Sequence, residues 1–533
     1  MSSFICAYAS SDKSFIFPKL SKVCEDLPFF GEHEGKSYCV LHYPLEDKKE
    51  EFNQVLKQKI DKSDFNLCGV WFPETVDFTG FTFETEVDLY ESFFYKTPLF
   101  NGVVFHKSVD FSSATFNENC VFINSRFNDS TSFLRLTVNG NANFTHSYFK
   151  EKTYFSNSRF CSVAEFSQTY FANNVSFTDV SMLGKADFAG STFEEDAVFS
   201  RVKFSNEAEF RYSEFLSNAY FKQCVFESAV SFHYINFFKI FDLSSSIFKD
   251  NFEFSGLELF NSQIFGAFNN NFWLDLQFAK IEKPEKTSFH SIPLRPSWFV
   301  NIDSRKFVFT DVDWLNANGN RQNVVNELDN LKRRNVLNSH RRLLTKTYRQ
   351  LATNAEENNR FEEASNFRRM AFETEWLEKK EKFLNSIDKL PDENEKLKRR
   401  FGGSTSKEDL PIPPTNSFAI ARLFDLLHLL YRITSYYGES RQRAFGVLLI
   451  ILIVSAFLYT QFNFNVCLPN QACGIRTLSL LEAITHSIST AILQNPETRK
   501  PLGYSELIVT LEKIFAPLQA ALLALAIRRK FMR

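Results

Sequence analysis

From Leu67 onward a large apolar residue returns every eleven residues, and a second such series runs between its members, so the spacing alternates between five and six. One series begins Leu67, Phe78, Leu89 and Phe100. It continues through Phe111, Phe122, Phe133, Phe144, Phe155, Phe166, Phe177, Phe188, Phe199, Phe210, Phe221 and Phe232 to Leu243, Phe254 and Phe265. The other runs from Phe72 through Phe116, Val138, Phe160, Met182 and Phe204 to Phe248 and Leu259. A fixed period sustained over about two hundred residues without an insertion marks a repeat architecture. It fits neither the 3.6-residue period of an amphipathic helix nor a long simple alternation. The composition reflects it: 64 Phe against 17 Gly and 16 Pro imply one aromatic slot used again and again.

Two positions before each ladder residue the chain prefers something small. Ala142, Ala164, Ala186, Ala197, Ala208 and Ala219 do so in one register; Ala114, Ser125, Ser147, Ser158, Ser191 and Ser213 do so in the other. In a strand, residues i and i−2 share a face, so both point inward. A large ring with a small neighbour fills each layer of a narrow interior. Stacked windings pair their backbones edge to edge, and each buried ring contributes roughly 1.5–3 kcal/mol before ordering costs. Windings of about 22 residues predict about nine of them over residues 65–265 and a rod on the order of 40 Å long.

Stretches such as Ala186-Asp187-Phe188-Ala189-Gly190-Ser191-Thr192-Phe193 resemble the pentapeptide-repeat family. The resemblance covers roughly residues 65–265 and implies a mainly β fold, a right-handed quadrilateral β-solenoid. The family's plain form repeats every five residues, whereas this chain alternates five and six. Residues 65–265 hold 24 Asp and Glu against 14 Lys and Arg, so the rod is acidic. Some soluble members mimic DNA with an acidic rod, so one function the resemblance implies is binding to a topoisomerase. The plainer reading of the same charge is a solvated face. The whole chain has a formal net charge of −2, which recruits no nucleic acid.

Residues 1–64 precede the repeat as an N-terminal cap, needed because a solenoid end exposes unpaired strand edges. Met1 to Ser10 lacks the basic and apolar runs of a signal peptide. The cap holds Cys6, Cys24, Cys39 and His42, the last two as Cys-Val-Leu-His. Three thiols and an imidazole suit tetrahedral zinc, and four protein ligands leave no open position, so such a zinc is structural. The segment resembles Cys-Cys-Cys-His stretches that precede the repeats in some bacterial relatives, down to a following Lys/Glu-rich helix at residues 48–60. Reduced, buried thiols are the competing reading.

Beyond the repeat, residues 266–320 predict an irregular C-terminal cap, and residues 321–387 a helical hairpin broken at Asn358-Asn359. Apolar stripes at Leu343, Leu344, Thr347, Tyr348 and Leu351, then at Phe361, Ala364, Phe367, Met370 and Phe372, face inward. Residues 388–440 read as a Gly/Pro-containing linker and an interfacial helix. Residues 441–533 read as a two-helix membrane hairpin. Residues 444–460 carry no charge, and residues 507–527 form a second span that contains Glu512, Lys513, Pro517 and Gln519. Arg441 and Arg443 precede the first span; Arg528, Arg529, Lys530 and Arg533 come after the second. The positive-inside rule therefore predicts both termini in the cytoplasm and residues 461–504 in the periplasm. Cys467 and Cys473 lie in that loop, where a disulfide is expected.

Residues 430–440, Leu-Tyr-Arg-Ile-Thr-Ser-Tyr-Tyr-Gly-Glu-Ser, resemble the juxtamembrane segment of membrane-bound pentapeptide-repeat proteins. The hairpin C-terminal to them is similar to the pore module of potassium-channel-like proteins, with residues 477–490 as a re-entrant helix and residues 507–528 as the inner helix. That likeness implies an oligomer and pore-lining roles for Thr490, Glu512 and Gln519. The Thr-Val-Gly-Tyr-Gly filter is absent, so no selectivity is implied. No Gly-rich phosphate loop, Gly-x-Ser-x-Gly elbow or His-Glu-x-x-His pair is present. The reading that emerges is a non-enzymatic protein of the bacterial inner membrane. In it a cytoplasmic scaffold or sensor is coupled to an ion-channel-like, homo-oligomeric module in lipid, with an unidentified protein partner for the rod. The alternatives are a protein-binding rod on a passive anchor, or the DNA mimic.

Overall fold

A computed structural model describes residues 6–8, 24, 27–256, 273–315, 321–333, 340–388, 426, 428–435, 440–467, 473–494 and 498–531. The chain forms two compact units, Met1–Ala371 and Phe372–Arg533.

The first unit is dominated by a β-solenoid. Strands of about two residues pair in parallel with the strand one winding on, as Arg126 with Tyr148 and Tyr148 with Tyr170. The windings are therefore the 22 residues long that two eleven-residue periods require. One face stacks ten strands, from Trp71–Phe72 to Lys280–Ile281, and another stacks nine. The other two faces merge into one sheet through a single long strand, Val230–Phe237, which pairs on both sides of a corner.

Phe111, Phe122, Phe144, Phe166, Phe188, Phe210 and Phe232 are each 0% exposed. Rings one winding apart lie parallel: Phe166–Phe188 and Phe188–Phe210 stack at 4.9 Å, with interplanar angles of 2° and 1°. Rings half a winding apart meet edge to face, as Phe177 and Phe188 do at 5.4 Å and 87°. The strand spacing of about 4.8 Å sets the first distance, and the ring quadrupole favours the second geometry.

The alternation of five and six comes from two kinds of corner. After the ladder residues of the first series the chain makes tight turns, most of them closed by a backbone bond such as Ala114 N–H to the Phe111 carbonyl at 3.1 Å. Their third residue is left-handed: Ser113, Asn124, Arg135, His146, Asn157, Gln168 and Asp179 all have φ between 54° and 62°. That is the type II pattern, which glycine usually fills. After the second series the corner is a wider bend and takes one residue more. At Val138 and Met182, two second-series positions that are not aromatic, glycine stands two places on. A Cβ on Gly140 or Gly184 would lie within 2.7 Å or 2.4 Å of the winding below.

Nine strands of the ten-stranded face lie within residues 65–265, as expected, and the tenth, Lys280–Ile281, carries the solenoid beyond that span. The ladder is not free of insertions, since Ile240 pairs with Trp273 and Ile247 with Lys280, an offset of 33 residues where earlier windings have 22. One extra eleven-residue period is invisible to a search for that period, so the ladder read through it. Leu259 and Phe265, its last expected members, lie outside the described residues. The region expected as an irregular cap starts by prolonging the solenoid: Trp273–Asp275 and Lys280–Ile281 extend two faces, and Thr287–His290 pairs with Phe252–Gly256.

The far end of the solenoid is closed by α2 (Arg321–Arg333), α3 (His340–Glu357) and the first turns of α4 (Phe361–Asp388); α1 (Lys49–Asp61) lies at the other end. Leu344, Thr347, Tyr348, Leu351, Ala364, Phe367 and Met370 are buried as expected, with Leu343 half-buried; Phe361 and Phe372 are 40% and 42% exposed. Those two fall at the edges of the stripe, where helical phase turns them outward. The break is where Asn358-Asn359 placed it, with Asn359 left-handed at φ 59°. A buried ion pair, Arg295 to Glu327 at 3.4 Å, and the Asn354 side chain, which donates to the carbonyls of Ser304, Arg305 and Phe307, fasten α2 and α3 to the strands.

The second unit is helical. Residues 428–435 form a short helix with Leu429, Leu430 and Ile433 exposed. Two helices, α5 (Arg441–Tyr459) and α7 (Tyr504–Phe531), are long and apolar enough to cross a membrane. Between them stands α6 (Leu480–Ala491), preceded by an antiparallel pair, Asn463–Val466 and Gly474–Thr477, and followed by a third strand, Arg499–Pro501.

Candidate metal centre and membrane hairpin

The turn after Lys36–Cys39 is closed by the His42 and Tyr43 amides, both donating to the Cys39 carbonyl, which turns Cys39 and His42 toward each other. The Ala7 amide donates to the Ser37 carbonyl at 2.9 Å and brings Cys6 alongside. With Cys24 the four side chains converge, all buried, their ligating atoms within 4.8 Å of one another. His42 Nδ1 lies 3.0 Å from Cys24 Sγ, 3.1 Å from Cys39 Sγ and 3.7 Å from Cys6 Sγ; Cys6 and Cys39 are 3.8 Å apart. Ligands on a tetrahedron of zinc–sulfur bonds near 2.3 Å stand roughly 3.5–3.8 Å apart, so a small contraction or expansion seats an ion. The cluster could hold a metal ion.

The surroundings suit that use. His42 Nε2 bonds to the Cys68 carbonyl at 2.9 Å, which fixes the ring and leaves Nδ1 to the thiols. Tyr8 stacks on the ring at 4.5 Å, and its own ring occupies the space where a Cβ on Gly69, at φ +68°, would fall. The Cys6 thiol is held low by its hydrogen bonds with Cys24 and Cys39, whereas Cys24 is pushed up by its bonds with Cys39 and Cys6. Burial works against a charged His42, but the bonds to Cys39 and Cys6 outweigh it and raise the imidazole to about 9. Burial lowers Lys48 to about 7; its ammonium donates to the Leu41 carbonyl at 2.9 Å and lies over Phe52 and Trp71.

In the hairpin, Cys467 and Cys473 are joined as a disulfide between the first two strands. α6 begins at a capping box of Ser479 and Glu482, and Glu482 also takes both Nη atoms of Arg476 at 2.7 and 2.8 Å. The expected start of this helix at Thr477 is three residues early, because Gly474–Thr477 is a strand. α6 packs against both α5 and α7. Its Ser487 Oγ reaches the Leu452 carbonyl, in the middle of α5, at 3.1 Å.

Thr490, Glu512 and Gln519 are 1%, 3% and 3% exposed within the chain's own packing. Glu512 accepts hydrogen bonds from Tyr459 and Ser487, and Gln519 donates to the carbonyls of Thr434 and Ala444 at 2.9 Å each. The three side chains expected to line a pore therefore turn inward, since a polar group among apolar helices is stabilised by the nearest partner its own helices offer. Tyr459 and Ser487 went unnoticed in the sequence. The only signal was a Tyr at the end of one apolar run and a Ser on a short helix. A second missed set lies in the solenoid: Ser125, Ser158, Thr169 and Ser213 each donate to the carbonyl of a ladder Phe 25 residues earlier, at 2.6–2.8 Å. In the sequence Ser125, Ser158 and Ser213 read as small space fillers, and Thr169 did not stand out.

A family model for pentapeptide repeats (9 copies) matches residues 100–147 and 188–236. The repeats are pentapeptide repeats. No curated protein and no solved structure matches the chain. The pentapeptide-repeat model meets the solenoid where its windings are most regular, and it says nothing of the Cys3His cap or the hairpin, which stand on their own geometry.

Proposed function

We propose that this is a non-enzymatic membrane protein of the bacterial inner membrane whose hairpin assembles as a channel-like homo-oligomer, with the pentapeptide-repeat solenoid as its scaffold or sensor. The observation that carries the reading is α6. It is a 12-residue helix, too short to span, yet it packs between two spanning helices and ends level with the middle of α5. Backbone that stops at such depth is tolerated where protein or a water-filled path covers it. Leu481, Ile484 and Ile488 line one face of α6 and are 74%, 40% and 50% exposed, a stripe that a neighbouring copy would cover.

Two chemical asymmetries support both termini lying in the cytoplasm. Basic residues flank the outer ends of the spans. The seven cysteines of the first unit are free thiols, while the pair between the spans is a disulfide, the partition expected across a membrane with one reducing face. In the cap, zinc would be held by Cys6, Cys24, Cys39 and His42. Bound there it would cross-link the N-terminal segment, with no open position for catalysis. Metal analysis of the purified protein is expected to give one zinc per chain, and none in Cys39→Ser.

The decisive experiment reconstitutes the full chain in liposomes and measures ion flux beside oligomer mass. Flux from a multimer supports the reading; a monomer that never conducts leaves a partner-binding rod on a passive anchor. Inhibition of a topoisomerase by the acidic rod would instead favour the DNA mimic.

A further inference from the structure

Glu512 is a carboxyl group inside α7, 3% exposed, with no basic side chain in salt-bridge contact among the described residues. Its two oxygens face different helices: Tyr459 at the end of α5, and Ser487 on α6. Ser455 on α5 is a third hydroxyl at the carboxyl. Its hydrogen-bonding neighbours among the described residues are therefore hydroxyls, and an ionised carboxylate shut away from water without a counter-ion costs far more than the neutral acid. As the acid, Glu512 accepts from Tyr459 at one oxygen and donates to Ser487 from the other, which leaves the Ser487 proton for the Leu452 carbonyl.

The charged and titratable groups on the surrounding elements give Glu512 no counter-ion among the described residues. Glu482 on α6 is occupied by Arg476, and Arg499 donates to the Glu482 carbonyl and Thr485. His486 packs its ring against Tyr459 and Phe464 at 5.1 Å each. Lys513 and Glu506 share α7 with Glu512, and neither is bonded to it; Arg441 and Arg443 stand at the opposite end of α5. A groove of about 350 Å³ also runs along α5 and α7, lined by Ile450, Val454, Leu458 and Phe515, with Ser455 and Glu512 among its walls. Ile450 and Phe515 are 60% and 50% exposed there, so the groove opens on the surface that lipid would cover.

We propose that Glu512 is a proton-binding carboxylic acid, reached from the lipid side, that latches α6 to both spans. The proposal rests on the membrane reading above and is independent of whether the hairpin conducts. Loss of the proton would place a charge where only hydroxyls answer it.

The test uses two carbodiimides on the full-length protein in liposomes, one apolar (dicyclohexylcarbodiimide) and one water-soluble, with peptide mapping by mass spectrometry. The acid adds across one C=N bond: its oxygen bonds to carbon, its proton passes to nitrogen, and an acyl shift gives a stable N-acylurea with no leaving group. The expected result is that Glu512 is labelled by the apolar reagent at least tenfold faster than by the water-soluble one. Exposed Glu506 should react with the water-soluble reagent and serve as the internal control. Glu512→Gln, which keeps the hydrogen bonds, should abolish the label and remove one carboxylic-acid band from the infrared spectrum. Labelling of Glu512 by the water-soluble reagent would overturn the proposal by showing a wet carboxyl. So would an unlabelled Glu512 beside a labelled Glu506. Alkaline carbonate extraction of the same liposomes separates these failures from a failure of the membrane reading, which would release the protein.

Discussion

The solenoid and the hairpin face one problem, polar groups shut away from water, and solve it in opposite ways. In the solenoid the load is divided. Each winding offers a hydroxyl to a carbonyl of the winding below, so the work is spread over many side chains. In the hairpin it is concentrated, with Glu512 and Gln519 joining elements far apart in sequence. A repeat can distribute because every layer has the same address. Three unlike helices meet only once, so a few residues must carry the junction. The lesson is that periodic architecture makes polar substitutions cheap and aromatic ones expensive, whereas the hairpin inverts the order.

The largest effect that sharpens this contrast is Phe188→Ala, which removes a ring stacked on two neighbours and met by others edge-on. Denaturant unfolding should show a loss of about 3–5 kcal/mol. Ser213→Ala deletes one hydroxyl–carbonyl bond, but the Phe188 carbonyl keeps its turn bond from the Ser191 amide. The expected loss is about 1 kcal/mol. If it equals the Phe188→Ala value, the divided-load picture is wrong. Gln519→Leu should cost about 1 kcal/mol or less in detergent, yet raise protease sensitivity around residues 434–444, because one side chain holds both carbonyls. A change confined to global stability would break the contrast from the other side.

The smallest effect is a pH dependence. Arg476, then the Ser479 amide, hold Glu482 down to about 2. A carboxylate whose folded value is depressed contributes stability that is complete above its unfolded value near 4.5 and is lost as pH falls toward 2. Hydrogen exchange at the start of α6 should accelerate across that window, and Arg476→Gln should flatten the dependence.

How much of this was legible in the sequence depended on whether a signal repeated. The Phe ladder fixed the winding length because every second period returned the same residue to the same column. The insertion after Phe254 stayed hidden because its length matched the period, so Leu276 still fell in phase although Leu243 lies one winding below it. Cys39 and His42 were legible as a pair through their spacing, but Cys6 and Cys24 converge on them only through the fold. Glu512, Tyr459 and Ser487 were not legible together, since nothing local links residues 459, 487 and 512. Burial makes a partner necessary without naming it.

The left-handed corners have a consequence for what the rod can display. Position after position is filled by Ser, Asn, Arg, His, Gln, Asp or Tyr at nearly one φ, so the corner imposes a backbone shape and leaves the side chain unspecified. Gln168→Gly should therefore raise stability by about 0.5 kcal/mol, the relief of left-handed crowding less the added freedom of the unfolded chain. Two margins of the solenoid thus carry outward-facing groups at intervals of about 4.8 Å, like type set along a ruler, and their wording can change without disturbing the column of rings behind them.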